Sequence, residues 1–396
     1  MPRQADFWRL WLVGLMMFTV RWIELLVVAV FTYQVTGSAF IVTMMTLLRL
    51  LPMALFGAFM GAWADRLDRR LGILAVLVAL LLSSAAIAGL AWAGRLEVWH
   101  LAVSCFINGT AWATDNALRR IMIGEVVGAD KMATAMAFDI GANNASRMVG
   151  PAVGGVLIAT AGIEQAYIVS VGLYLVGIGA AFGLKYREPF THLAGAGSTL
   201  SRIVEGLREA RRRPHLLGIY LVTAIYNIFG WPIYSLVPVI GKDNLDLGPG
   251  GVGLLSSMDG VGAMLGAASV AMLARPAHFH ALYVGAVAVF QLMMVGFALM
   301  SEPFMAGTFL VMAGISGACF AVMQTTLIYR AVTPELRSRM LGLLSVSIGI
   351  GPIGFLQIGL FAEALGAGAA VIISSLGGLL ALALTFPLWR PRGDAD

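Results

Sequence analysis

The chain has 396 residues, of which 59% are apolar and 12% charged, against roughly 45–50% and about 25% in soluble globular domains. Mean hydropathy is +0.87, and apolar runs recur from end to end, each long enough to cross a hydrocarbon core of about 30 Å. This excludes a sizeable soluble catalytic domain, and the net charge of +5 has little surface on which to hold nucleic acid.

Taken in chain order, runs punctuated by charge, Gly and Pro predict twelve membrane helices near 8–33, 39–63, 71–94, 99–118, 132–160, 163–184, 216–240, 251–274, 279–300, 303–328, 340–364 and 367–389. Arg3 and Arg9 precede the first run without a small-residue cleavage site, so it reads as a permanent span. Twenty-one lysines and arginines fall on the side of the termini, among them Arg66, Arg69, Arg70, Arg119 and Arg120, while Arg95 and Lys242 fall on the other and Arg21, Arg49 and Arg147 within spans. The asymmetry predicts cytoplasmic termini. It makes the positive balance mostly a matter of topology, with a lesser attraction to anionic lipid and no call for a nucleic-acid partner.

The stretch Lys185–His215 is the longest and most polar between spans. Within it, Ser201–Arg213 sets Ile203, Leu207 and Ala210 on one helical face opposite Arg and Glu, the pattern of a cytoplasmic helix lying along the membrane. It divides the chain into a six-helix half over 1–190, a linker over 191–215 and a second six-helix half over 216–396. The halves match weakly at an offset of 209, which sets Arg49 one residue from the counterpart of Asp259. Two such halves around a mid-membrane site are a plan of secondary transporters.

The loop after span 2 reads Gly61-Ala-Trp63-Ala-Asp65-Arg66-Leu-Asp68-Arg69-Arg70, and span 5 contains Arg147-Met-Val-Gly150-Pro151-Ala-Val-Gly154-Gly155. The loop resembles the signature of the major facilitator superfamily, usually Gly-x-Leu-Ala-Asp-Arg-x-Gly-Arg-Arg/Lys, with Trp63 and Asp68 as departures. The span 5 run is similar to that superfamily's antiporter motif Gly-Pro-x-x-Gly-Gly. Val35–Ala39, Leu51-Pro52 and Val149–Gly155 extend the resemblance to the enterobactin-exporter branch over about residues 8–185. The second half is degenerate, with Ala274-Arg275-Pro276 where a second loop would stand.

The resemblance implies an all-α fold working by alternating access. It also implies a conformational latch of Gly61, Asp65, Arg69, Arg70 and Asp115, in which Asp65 faces a positive helix end and Arg69 pairs with Asp115 at the inner end of span 4. Gly150, Pro151, Gly154 and Gly155 would allow a kink and close contact with span 8. Read without the resemblance, the loop is a basic stretch that sets topology and the glycines are a packing face.

A charge at a helix centre in the bilayer costs at least about 2.5–3.5 kcal/mol unless paired or wet. Counted from the span ends, Arg21, Glu24, Arg49, Arg147 and Asp259 lie near one level, with Asp115 and Asp139 closer to the cytoplasm. Arg21 and Glu24, three apart, can pair on span 1. Asp139, Asn143 and Arg147 share a face of span 5, either as a proton-coupling group or as a polar ladder that fixes packing. Desolvation and a nearby guanidinium act oppositely on a buried carboxylate, the balance that a proton carrier needs.

Asp139 and Glu24 are therefore the expected proton carriers, and Arg21, Arg49, Asn143, Arg147, Asn227, Asp259 and Gln324 the expected cavity residues, with Arg147 and Asp259 meeting as an ion pair. No ATP-binding loop, metal-ligand pattern or nucleophile–base pair is visible in the sequence, so no cofactor and no enzyme activity is expected. The expectation is proton-driven export of a small organic molecule, siderophore or drug-like, by a monomer among the lipids of a bacterial inner membrane. Its rivals are uptake or lysolipid flipping on the same fold, and a non-transporting membrane sensor or scaffold.

Overall fold

The structure, a computed structural model, describes residues 2–64, 68–185, 214–332 and 334–389, and every regular element among them is helical. Nine helical segments of the described residues are long and apolar enough to cross a membrane, and Ala39–Leu55 is a shorter apolar one. Leu82, Trp92, Phe182, Leu273, Phe304 and Leu384 are each more than 60% exposed, an exterior suited to hydrocarbon. The predicted amphipathic helix Ser201–Arg213 lies outside the described residues.

The first helices are α1 (Pro2–Thr36), α2 (Ala39–Ala64), α3 (Arg69–Trp92), α4 (Val98–Val127) and α5 (Met132–Phe182). Asp68 begins α3, its carboxylate accepting the N–H groups of Arg70 and Leu71 at 2.9 and 3.1 Å. That cap accounts for an Asp where the superfamily loop has Gly. The 51 residues of α5 would run about 75 Å if straight, more than twice the bilayer core. Gly162, at φ +82°, turns the chain and leaves two limbs, a conformation that side chains with a Cβ rarely adopt.

Beyond the linker, α6 (Pro214–Ile225) passes into a π turn over Tyr226–Gly230, a 3-10 stretch over Trp231–Leu236 and α7 (Val237–Asp243). Pro232 has no N–H for the Ile228 carbonyl four residues back, and Gly354 packs against that carbonyl instead. There follow α8 (Pro249–Leu273), α9 (Phe279–Leu299), α10 (Pro303–Ala331), α11 (Pro334–Gly349), α12 (Gly351–Leu365), α13 (Ala367–Leu384) and α14 (Phe386–Trp389).

The chain forms two compact units. One gathers Met1–Gly37, Met45–Ala194 and Leu247–Gly260. In it α1, α3, α4 and α5 enclose Leu10, Met17, Ile73, Leu77, Leu118 and Tyr174, and the start of α8 joins through Val252 against Leu26 and Val30. The other gathers Ser38–Met44, Gly195–Asp246 and Val261–Asp396, around the fully buried Tyr283, Phe290, Phe297 and Phe355. There the first turn of α2 meets α12: Glu363 accepts hydrogen bonds from Ser38 Oγ at 2.8 Å and from the Phe40 N–H at 3.4 Å.

Candidate functional site: a buried chain of charges

In the first unit three helices converge on Glu24, which is 1% exposed. Ser84 of α3 donates to its Oε1 at 2.7 Å, and Arg49 of α2 lies 3.8 Å from its Oε2. Arg49 also donates to the Arg21 carbonyl at 3.2 Å. The spacing also allowed an intrahelical pair of Arg21 with Glu24, but the carboxylate meets Ser84 and Arg49. The Arg21 guanidinium instead lies over the rings of Trp112, at 4.5 Å, and Phe18, at 5.4 Å.

Nearer the N-terminal end of α1 a second group forms around Arg119, which is 1% exposed. Its Nε donates to Asp115, with Nε···Oδ1 of 3.0 Å and Nε···Oδ2 of 3.3 Å, and its Nη1 donates to Asp139 of α5. Its guanidinium covers the Phe18 ring at 4.7 Å. Gly14 makes room for it, since a Cβ there would meet Arg119 Nη1 at 2.5 Å. By sequence Arg119 falls among the loop charges, but α4 continues to Val127 and takes it inside the protein. The spacing Asp115–Arg119 and the apolar Ile121-Met122-Ile123 beyond it were the available signals.

The rest of the α5 face meets α1 and α8. Asn143 accepts from Trp22 Nε1 at 3.4 Å, and Arg147 donates to Asp259 of α8, with Nε···Oδ2 of 2.6 Å. The antiporter-like glycines divide their work between two neighbours. A Cβ at Gly150 would meet Trp22 Cβ at 2.5 Å and one at Gly154 the Ile23 carbonyl at 3.0 Å, whereas one at Gly155 would meet the Pro249 carbonyl at 2.6 Å. Across that seam a Cβ at Gly253 would meet the Pro151 carbonyl at 2.5 Å, and the Ala152 N–H donates to Ser257 Oγ at 2.9 Å.

The loop after α2 is arranged differently from expectation. Arg69 pairs with Glu125 at the end of α4, not with Asp115, which belongs to Arg119. The physical reason is depth: ten residues separate Asp115 from Glu125, about 15 Å along a helix, and Arg69 starts α3 at the level of the latter. Arg70 donates to the Phe182 carbonyl at 2.7 Å. Gly61 lies in the last turn of α2, and Asp65 lies outside the described residues.

The second unit holds Asn227 and Gln324 in an uncharged network. Gln324 Nε2 donates to Thr223 Oγ1 at 3.0 Å, which is 2.7 Å from the Tyr283 hydroxyl, and Asn227 Nδ2 donates to the Thr223 carbonyl at 2.9 Å. Tyr226 and Tyr283 both stack on Phe320, with ring centroids 4.2 and 5.3 Å away. Sequence reasoning singled out neither these rings nor Ser84, Trp112, Arg119 and Glu125.

Helices that seal opposed charges under an apolar exterior are a transporter's architecture, and comparison with known proteins gives the family. A family model described as "Transmembrane secretion effector" matches residues 2–396. The chain belongs to that family of the major facilitator superfamily transporters. Macrolide efflux protein A of Streptococcus pyogenes is 23% identical over 340 residues, covering 84% of this chain and 83% of the relative. The multidrug efflux pump Tap of Mycolicibacterium fortuitum is 27% identical over 371 residues, covering 88% and 87%.

Among solved structures, the nucleoside transporter NupG superposes with a TM-score of 0.76 at 12% identity, over 98% of this chain and all of that one. A bacterial homolog of the human lysosomal transporter Spinster superposes with a TM-score of 0.75 at 16% identity, over 98% and 97%. These likenesses are of fold. The chain is thus a multi-pass membrane transporter of a small molecule and not an enzyme.

Proposed function

We propose that this transporter exports drug-like molecules in exchange for protons, by alternating access of two six-helix halves over 1–190 and 216–396 that make up twelve spans. Asp139 and Glu24 carry the protons. Asn227 and Gln324 belong to the substrate cavity, and Arg69 and Arg70, with Glu125 in the part expected of Asp115, stabilise one conformational state. The protein works as a monomer in the bacterial inner membrane with both termini cytoplasmic, its lipid contacts made by the apolar exterior.

One observation carries this reading: two carboxylates, Glu24 and Asp139, are sealed against arginines from neighbouring helices in a chain whose relatives are efflux proteins. A structural scaffold gains nothing from desolvating so many charges. The mid-membrane arginines do not favour an anionic siderophore over a drug, because Arg49 is balanced by Glu24 and Arg147 by Asp259.

The test uses inside-out vesicles from cells producing the protein, energised to acidify their lumen and offered labelled erythromycin or a tris-catecholate siderophore. Accumulation of erythromycin that collapses when the proton gradient is discharged is the expected result. Accumulation of the siderophore alone would move the substrate class, and loss of preloaded compound from energised vesicles would reverse the direction to uptake.

A further inference from the structure

We infer that Arg119 is the positioning residue through which Asp139 couples protonation to movement, an inference that rests on Asp139 being a proton carrier. The guanidinium uses different nitrogens for its two carboxylates, Nε for Asp115 and Nη1 for Asp139. Asp115 is one turn away on the same helix, so that contact persists when α4 and α5 move apart. Phe18 and Gly14, both on α1, fix the guanidinium from a further side. Of the described residues named here as holding Arg119, only Asp139 stands on α5, beyond the turn Ala129–Lys131.

The charges around the group give the contact its sign. Arg21 from α1 interacts electrostatically with Asp115 and with Arg119, and Tyr174 from the second limb of α5 interacts with Asp115. The titratable groups of α3, Arg69 and Arg70, are engaged with Glu125 and the Phe182 carbonyl. With Asp139 ionised, Asp115, Arg119, Asp139 and Arg21 sum to zero. One proton taken from water by the Asp139 carboxylate leaves this set with a net positive charge in a poorly polarisable interior, where uncompensated charge is unfavourable. Separation of Asp139 from Arg119 and entry of water relieve it. When the proton leaves Asp139, the ionised carboxylate returns to Nη1 and the helices close again. Arg119 thus holds Asp139 when that carboxylate is charged and releases it when it is neutral, while Asp115 keeps the guanidinium seated throughout.

The test is hydrogen–deuterium exchange of the full-length protein in lipid nanodiscs, following the segment Met132–Arg147 at pH 8 and pH 5 and correcting for intrinsic rates. The parent protein should exchange faster at pH 5 by roughly 5- to 150-fold, the range of ordinary coupling energies. Arg119→Gln should exchange fast at both pH values, and Arg119→Lys should recover part of the response. Gly14→Ala, which keeps every charge but crowds the guanidinium, should also blunt the response, and it decides the matter if Arg119→Gln does not yield monodisperse protein. Asp139→Asn should be unresponsive. A parent-like response in Arg119→Gln or Gly14→Ala, with Asp139→Asn unresponsive, overturns the role of Arg119 and leaves Asp139 as carrier. A parent-like response in Asp139→Asn overturns the carrier itself, and a parent protein with no response overturns both.

Discussion

Arg147 and Asp259, 112 residues apart in sequence, are joined by an Nε···Oδ2 hydrogen bond of 2.6 Å. The first stands on the first limb of α5 one turn before Pro151, and the second on α8 next to Gly260, where a Cβ would meet Met148 Cα at 2.6 Å. Backbones that approach so closely leave the two side chains no distance to cover. Trp22 of α1 lies beside the pair, 5.4 Å from the Arg147 guanidinium.

Removing one partner of such a half-buried pair strands the other charge, which costs more than removing both. Arg147→Ala and Asp259→Ala should each impair transport strongly. The double substitution, or the swap combining Arg147→Asp with Asp259→Arg, should recover part of it. A double-mutant cycle of transport rates checks this, and losses that simply add would show that the two residues act independently.

The pair of Arg69 and Glu125 is part-exposed, with side chains 26% and 22% accessible, so its contribution to global stability should be small, about 0–1 kcal/mol. Its effect belongs to the balance of states. Arg69→Ala and Glu125→Gln should change maleimide labelling of cysteines introduced on the two membrane faces by the same factor and in the same direction. Asp115→Asn, which acts on Arg119, should give a different pattern. Identical labelling of Arg69→Ala and the parent would reduce the loop to a topology signal.

Much of this was legible because depth in a membrane helix can be counted. Counting residues from the outer ends of spans 5 and 8 puts Arg147 and Asp259 near one level, and the structure joins them. The division between spans 5 and 6 falls at Gly162, where the structure turns the chain. The pairing of Arg69 with Asp115, which the family resemblance implies, fails on depth, since Glu125 is closer to the level of Arg69. Arg119 was hidden because a charge at the edge of an apolar run looks like a loop charge until a buried partner from another helix is known, and Asp139 sits across a turn on α5. Ser84 and Gly14 carry no signal in one sequence, for a serine or glycine in a membrane helix gains meaning only from what lies opposite.

The seam between α5 and α8 is built of backbone. A Cβ at Gly253 would lie 2.5 Å from the Pro151 carbonyl and 2.8 Å from Gly155 Cα. Gly253→Val should therefore force the helices apart, lowering stability by about 1–3 kcal/mol and reducing transport together with it. Gly89→Ala, at a position with open space around it, should leave both near the parent values. Thermal unfolding in detergent and vesicle transport measure the two effects side by side.

In the proposed exchange Asp139 carries the coupling proton. Purified protein in proteoliposomes, loaded with erythromycin and given an imposed pH gradient, measures it most directly when Asp139→Asn is compared with the parent in gradient-driven flux and in gradient-free counterflow. Asp139→Asn should lose the response to the gradient while counterflow stays within several-fold of the parent. Gradient-driven flux at the parent rate in that variant would contradict it.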